Sequence, residues 1–489
     1  MGPGLIDDCP MAVQVEMTSR CNLRCQMCPL TSRATLSSEY IAAMPEAVWE
    51  RVVEAGRAAG QAIISGYGEP LLDPDWLSRL RALDEAGINI GMTTNGTLVT
   101  AERAAALASL KHLFHVNVSI DSPDAVEYRA IRGGELKLAL RGLGYLATAA
   151  PRPDWLAVSS VLMERNVASL AQLPGVLASL GVRVYNPQML IDLNLEVRDQ
   201  HLFLHPDMAA GYEAIRQACV AAGVELRPLN AERLLLEVAE AGEAQAAYHI
   251  RTPAQEQWTR QCVIPWEFPF VNKDGLVFPC CYASTDATAV VGDLGRQSFA
   301  DVWQGDDLQR FRLALLDGKT TPPICQGCAA APWGEHPLST YSASLLLERS
   351  RLTDPDYMEL VVENTGRAVW TRDVPLRLGT AAPRDHPSPW QHRDWLNDRR
   401  VATFQEDEVA PGQTATFRFR IAQPRDFPML VERFQLVVEE VCWLPGTRLE
   451  VAMPERRGRR LVHFLARTLD RVEAALRRLS GRRQGSGLE

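Results

Sequence analysis

Along the first 230 residues, short apolar stretches alternate with stretches whose apolar positions recur at helical spacing. Ala12 to Met17, Ala62 to Ser65, Ile88 to Thr93, His115 to Ile120, Leu156 to Met163 and Arg183 to Pro187 read as strands. Met44 to Ala59, Trp76 to Ala86, Ala101 to Leu110 and Leu170 to Leu180 read as helices between them. Gly60, Gly87 and Gly181 each stand just past a helix and before a strand, where a left-handed cap is wanted. Such alternation implies parallel strands joined by right-handed crossovers, an α/β sheet that is open or closed into a barrel. About six units are present, fewer than the eight of a full barrel.

The pattern then changes twice. Residues 231–334 have fewer regular helices and many cysteines and aromatics. After a linker at 335–350, residues 351–452 read as an all-β sandwich. Leu360 to Asn364, Thr416 to Ile421 and Phe434 to Glu440 are strand-like, with turn signals at Asn364-Thr365-Gly366 and Ala410-Pro411-Gly412-Gln413. In the tail, 453–489, Leu461, Leu465, Leu469, Val472, Leu476 and Leu479 share one helical face among ten arginines. This predicts a basic amphipathic helix that docks on its own protein, with an anionic membrane or an acidic partner as the alternative.

Length and charge narrow the functional classes. A chain of 489 residues exceeds one ordinary core. With 46% apolar and 23% charged residues it is globular rather than disordered. Lys plus Arg is 51 against 60 for Asp plus Glu, a net charge of −9, which excludes a globally basic nucleic-acid binder. No run of roughly eighteen apolar residues exists to span a bilayer. Asp7 and Asp8 sit where a signal peptide would be basic and apolar, so the cytoplasm is expected.

The eleven cysteines carry the chemistry. Cys21, Cys25 and Cys28 follow directly on the first strand; Cys262, Cys280, Cys281, Cys325 and Cys328 form a second group; Cys9, Cys219 and Cys442 stand alone as core or surface thiols. Clustering without a secretory signal favours metal or cluster ligation over disulfides. Three thiolates on one loop can hold three corners of an iron-sulfur cubane and leave one iron open to a cofactor or substrate. Zinc is the rival, but structural zinc usually takes paired CxxC units, and one spacing here is three residues.

That loop resembles the CxxxCxxC motif of the radical S-adenosylmethionine (SAM) superfamily, and further segments match in order. Ser65-Gly66-Tyr67-Gly68-Glu69-Pro70 resembles the GGE-type motif, Thr93-Thr94-Asn95-Gly96-Thr97 the TNG segment, Ser119-Ile120-Asp121 the SxD segment, and Val161 to Asn166 the fifth-strand segment beside the adenosyl group. The resemblance spans residues 11 to 330 and implies a partial (β/α)6 barrel over 1–230. It implies that Tyr67, Gly68, Glu69, Asn95, Ser119, Asp121 and Met163 bind SAM, and that Cys21, Cys25 and Cys28 hold a 4Fe-4S cluster. In the implied mechanism the reduced cluster cleaves SAM and the resulting 5′-deoxyadenosyl radical takes a hydrogen from substrate. A reducing donor of flavodoxin or ferredoxin type is implied with it. All these segments lie at carboxyl ends of predicted parallel strands, the face where barrel enzymes build their sites.

For the second group, spacing alone leaves a closed cluster and a structural zinc site open. The segment resembles the SPASM/twitch auxiliary-cluster region, with its CxnGx4C element at Cys262, Gly275 and Cys280. The longer SPASM run of cysteines does not follow Cys328. The resemblance therefore implies one auxiliary 4Fe-4S cluster on Cys262, Cys280, Cys325 and Cys328, with Cys281 able to replace Cys280.

The twitch arrangement is similar to that of aminocyclitol dehydrogenases of aminoglycoside biosynthesis. It implies a small-molecule substrate, an amino sugar or aminocyclitol, dehydrogenated or dehydrated at a hydroxyl-bearing carbon. Glu164, Asp192, Glu196 and Glu225 are candidate amine partners by position, though each fits an ordinary surface or ion-pair residue better. Peptide modification of the maturase type is the alternative, disfavoured because no peptide-binding winged helix fits before Ala12. A non-catalytic electron-transfer or scaffold protein is a third reading. The β region resembles more weakly the Ig-like modules marked by four tryptophans, here Trp370, Trp390, Trp395 and Trp443, with core packing expected of them over sugar stacking and an interaction role for the module.

Overall fold

The computed structural model describes residues 9–32, 43–190, 207–227, 259–317, 320–326, 328, 333–334, 336–354, 357–381, 384–422, 430–453 and 463–464. The described residues form two compact units, one from Cys9 to His336 and the other from Pro337 onward.

The first unit is built on parallel strands β1 (Val13–Val15), β2 (Gln61–Ile64), β3 (Asn89–Thr94), β4 (Leu113–Ser119), β5 (Leu156–Leu162), β6 (Val184–Met189) and β7 (Glu225–Leu226), adjacent in that order. Helices cover one face: after a single turn, α1 (Pro29–Ser32), come α2 (Glu46–Ala59), α3 (Trp76–Glu85), α4 (Ala101–Ala108), α5 (Ala125–Arg132), α6 (Leu136–Ala149), α7 (Leu173–Ser179) and α8 (Asp207–Ala222). The α/β expectation holds, and the sheet gains a seventh parallel strand, β7, behind α8. That strand is only two residues long, below the length at which alternation is legible in sequence.

Helix ends follow local chemistry. Gly60, Gly87 and Gly181 have φ of +76°, +71° and +80°, as the helix-to-strand stops require. Asp124 caps α5 by accepting from the Val126 and Glu127 amides, and Gly133 ends it at φ +70°. The α2 face carrying Val48, Trp49, Val52 and Val53 is buried in the main core. Each such side chain contributes about 1.5–3 kcal/mol of burial.

The cysteine-rich segment continues the same sheet. Strand β8 (Thr259–Arg260) pairs with β12 (Trp333–Gly334), while β9 (Phe270–Val271) pairs in parallel with β1 and leads through β10 (Leu276–Phe278) to β11 (Gly292–Asp293). The free edge of β1 is thereby covered, which is the physical reason that this segment packs with the barrel rather than apart from it.

The second unit is all-β among its longer elements. Tyr357–Asn364 pairs antiparallel with Thr414–Arg420, and Leu430–Val438 pairs with Leu376–Thr380 and Leu449–Met453. Trp370, Trp390 and Trp395 are buried, as core packing requires. Within the segment expected as a linker, Ala343–Leu345 forms a strand on the edge of Tyr357–Asn364. In the tail, the described residues His463 and Phe464 pair with Val451 and Ala452 as a short strand, whereas Leu461, Leu465, Leu469, Val472, Leu476 and Leu479 of the expected helical face lie outside the described residues. The remaining tail residues lie outside the described ones. Among the described residues no helix is long and apolar enough to cross a membrane.

Candidate functional site

A cavity opens at the carboxyl ends of the parallel strands. Its wall includes all three thiols, Cys21, Cys25 and Cys28, together with Ser65 to Glu69, Thr93 to Asn95, Ser119, Val161 and Arg132. Motifs separated by more than a hundred residues in sequence thus share one surface, because each ends a neighbouring strand.

The cysteine loop is pinned from two sides. The Arg24 and Gln26 amides donate to the Arg132 and Ile131 carbonyls at the end of α5, at 3.2 and 2.9 Å. The Asn95 side chain donates from Nδ2 to Asn22 Oδ1 at 2.9 Å, and Asn22 Nδ2 donates to the Thr97 hydroxyl at 2.8 Å. Burial pushes the thiols up, Cys21 to about 11 and Cys28 to about 12, with Cys25 raised by the same cause. Left to themselves these thiols are neutral; a cationic iron centre is what would draw out the thiolates. Among the described residues no three His, Cys, Asp or Glu side chains form a site for a single metal ion.

Glu69 is buried and holds the neighbouring strand end. Its carboxylate accepts from the Thr94 hydroxyl at 2.6 Å, the Asn95 amide at 2.8 Å and the Leu71 amide at 3.3 Å. Burial still raises its carboxyl against those bonds. Close backbone approach demands glycine here: a Cβ on Gly68 would lie 1.8 Å from the Thr18 carbonyl oxygen, and one on Gly66 2.6 Å from Glu16 Cβ. Glu16 accepts the Tyr67 amide at 2.8 Å, and burial pushes its carboxyl up to about 7.

Of the residues expected to bind SAM, Tyr67, Gly68, Glu69, Asn95 and Ser119 lie on the cavity wall. Asp121 and Met163 stand behind it. Asp121 is fully buried, its carboxylate shared between the Arg132 Nε at 2.7 Å and the Val161 amide at 2.8 Å. Met163 packs with Ile131 and Leu190, and its sulfur lies 3.9 Å from the Gln26 amide nitrogen. Arg132 is the wall residue that motif reading missed. It is buried, held by Asp121, and sits with Nη1 4.0 Å from the Cys25 sulfur. Its only sequence signal is a basic residue closing α5 ahead of Gly133-Gly134, which no linear motif ties to a loop a hundred positions upstream.

Below this wall three neutral polar side chains, Asn117, Ser159 and Asn186, stand on adjacent strands. Asn117, two residues before Ser119 on β4, donates to the Ser159 hydroxyl at 2.8 Å, and Ser159 stands opposite Asn186 in the β5–β6 register. The side-chain oxygens of Asn117 and Asn186 are buried with no hydrogen-bond partner.

The second thiol group gathers behind β9 and β10. Cys262 and Cys280 are each pushed up by burial and by neighbouring cysteines: Cys328 and Cys325 act on Cys262, and Cys281, Cys262 and Cys328 on Cys280. Gly275 turns the β9–β10 hairpin at φ +87°. The Cys280 sulfur accepts the Ala283 amide at 3.3 Å, and His336, fully buried, bonds the Cys262 carbonyl at 2.9 Å. Burial lowers that imidazole to about 4, so it is neutral at pH 7. The candidate carboxylates are not gathered into a site. Glu164 is exposed, Glu225 pairs with Arg227 at 2.7 Å, and Asp192 and Glu196 lie outside the described residues.

Comparison with known proteins agrees with this geometry. Residues 15–163 match the radical SAM superfamily, and residues 262–329 match an iron-sulfur cluster-binding domain, SPASM. The chain is similar to the AdoMet-dependent heme synthase of Methanosarcina barkeri, 26% identical over 66% of this chain and 91% of that protein. It is similar to the PqqA peptide cyclase of Xanthomonas euvesicatoria, 26% identical over 65% of this chain and 80% of that one. In fold it resembles the crystal structure of Streptococcus suis SuiB, with a TM-score of 0.50 at 16% identity, covering 66% of this chain and 72% of that one. The first domain binds a 4Fe-4S cluster and SAM, and the second binds auxiliary iron-sulfur clusters.

Proposed function

We propose that this chain, with a radical SAM domain followed by an iron-sulfur domain, is an oxidoreductase acting at an unactivated C–H bond of a substrate held over the neutral polar side chains of β4, β5 and β6. The observation that carries this reading is the single cavity shared by three thiols, the Glu69–Asn95 corner and the Arg132 cation. Cys21, Cys25 and Cys28 would hold the first cluster; Cys262, Cys280, Cys325 and Cys328 would hold an auxiliary one. The residues fit these groups in the chemistry of their donors: half-buried soft thiols beside a cation, backbone brought to the wall by glycine, and a wall acid fixed by Thr94 and Asn95. When bound, a reduced cluster with SAM supplies one-electron cleavage of the sulfonium and a hydrogen-abstracting radical.

The protein's own part is orientation. Arg132, fixed through Nε by Asp121, presents Nη1 near Cys25, where a guanidinium suits a carboxylate. Glu69 locks the β2 and β3 ends together, so the wall is rigid before any ligand arrives. Asn117, Ser159 and Asn186 offer neutral donors and acceptors to a hydroxylated or amide substrate.

Two substrate classes follow. Peptide modification is supported by the name of a relative, a peptide cyclase. Oxidation of a sugar or aminocyclitol is supported by the four-thiol spacing and the hydroxyl-matching side chains Asn117, Ser159 and Asn186. Anaerobically reconstituted enzyme with dithionite and SAM is expected to form 5′-deoxyadenosine. Mass analysis after incubation with amino sugars or with synthetic peptides then distinguishes the classes by which one loses two mass units. Absence of 5′-deoxyadenosine from fully loaded enzyme would overturn the catalytic reading.

A further inference from the structure

One side chain reaches from the cavity wall to the second thiol group. Tyr67 lines the cavity beside the three front cysteines, yet its hydroxyl donates to the Cys281 carbonyl at 2.7 Å. Ser284 Oγ donates to that same carbonyl at 2.7 Å. The ring leans on Phe270, 6.4 Å between centroids, which in turn leans on Phe278 two residues before Cys280. The Tyr67 backbone has little freedom to absorb a push: Gly66 is closed against Glu16, Gly68 against the Thr18 carbonyl, and the amide between them is held by Glu16. A ligand that presses on this ring must therefore move the hydroxyl end, at the loop that carries Cys280 and Cys281.

We propose that Tyr67 is a positioning residue that couples occupancy of the front cavity to the reduction potential of the auxiliary cluster, through its hydrogen bond to the Cys281 carbonyl. The inference rests on the reading above that the rear thiols hold a cluster. The positive end of a hydroxyl dipole beside a cluster favours the reduced, more negative state, and hydrogen bonding near the sulfurs is one of the protein's levers on potential. Because coupling between two sites is reciprocal, SAM must also bind the reduced and oxidised forms with affinities that differ by the same factor.

The test uses the full chain with both clusters reconstituted, titrated electrochemically and followed by electron paramagnetic resonance, with and without SAM. In the wild type, SAM is expected to move the auxiliary midpoint. Tyr67→Phe keeps the ring and removes the donor. It is expected to abolish the SAM-dependent shift and to lower the midpoint, so that the reduced-to-oxidised ratio at the wild-type midpoint falls about threefold to tenfold, tenfold being about 59 mV for one electron. Ser284, itself off the cavity wall, donates to the Cys281 carbonyl and lies 3.4 Å from the Tyr67 hydroxyl; Ser284→Ala keeps the Tyr67 bond to that carbonyl, so it is expected to lower the midpoint while the SAM shift survives. A wild-type midpoint indifferent to SAM, or a Tyr67→Phe protein that retains the full shift, would overturn the coupling. If Tyr67→Phe fails to assemble, SAM affinities of wild type in its two redox states decide the matter; equal affinities refute it. Wild-type protein that binds iron only at the front thiols would instead sink the parent reading.

Discussion

The Asp121–Arg132 pair should be strongly coupled, and removing either partner should cost far more than removing both. Asp121 Oδ2 accepts from Arg132 Nε at 2.7 Å, and the two side chains are 0% and 10% exposed. Asp121→Ala leaves a guanidinium without its counter-charge in a desolvated wall, about 3–5 kcal/mol. It also strands the Val161 amide that Oδ1 had accepted, a further roughly 1–3 kcal/mol. Arg132→Met leaves a buried carboxylate with one amide donor and should cost about 3–5 kcal/mol. The double variant buries neither charge, so its cost should fall short of the summed single costs by about 3 kcal/mol or more. Anaerobic urea unfolding followed by tryptophan fluorescence measures each value from the midpoint at constant slope. Additive single effects, or single costs below about 1 kcal/mol, would refute the assignment of a buried, mutually dependent pair. A second readout separates function from stability. If Arg132 takes the cofactor carboxylate, Arg132→Met should weaken SAM binding by the worth of a charged hydrogen bond, about 1.5–3 kcal/mol, with the iron content unchanged.

Other outcomes follow from the same geometry. Glu16 is held protonated by burial up to about 7 against an ordinary 4.5, so the folded chain keeps a proton that the unfolded chain gives up. Stability should therefore fall as pH rises from about 4.5 to about 7, by about 3 kcal/mol at most, and Glu16→Gln should flatten that slope in urea titrations of the metal-free protein. Gly60→Ala and Gly68→Ala should fail for different reasons: at Gly60, with open space and φ +76°, the cost is backbone strain of about 1–2 kcal/mol. At Gly68 the new methyl strikes backbone, so that variant should melt at a clearly lower temperature and lose SAM binding, as calorimetry and equilibrium dialysis would show. Serine replacements at Cys262, Cys280, Cys325 and Cys328 should each lower iron content by about one cluster, whereas Cys281→Ser should leave it intact; iron analysis that reverses the last two cysteines' neighbours, Cys280 and Cys281, would reassign the ligand.

The local pattern of the chain was enough for much of this molecule. Strand and helix periods between Ala12 and Pro187, and glycine stops at Gly60, Gly87 and Gly181, are set by interactions within a few residues, which is why they were legible. The three clustered thiols were legible for the same reason: their spacing lies on one loop. What the tertiary structure alone decided is which distant groups meet. β9 on the open edge of β1, Arg132 in the wall beside Cys25, and Tyr67 between two cysteine groups are long-range pairings with no local signature. The same holds for Asp121 and Met163. Position in a motif put them near a cofactor, but hydrogen bonding to Arg132 turned one inward and packing against Ile131 and Leu190 buried the other. Sequence fixes which groups a strand end carries; only the fold, by choosing which buried charges and donors must satisfy one another, decides which of them face the cavity.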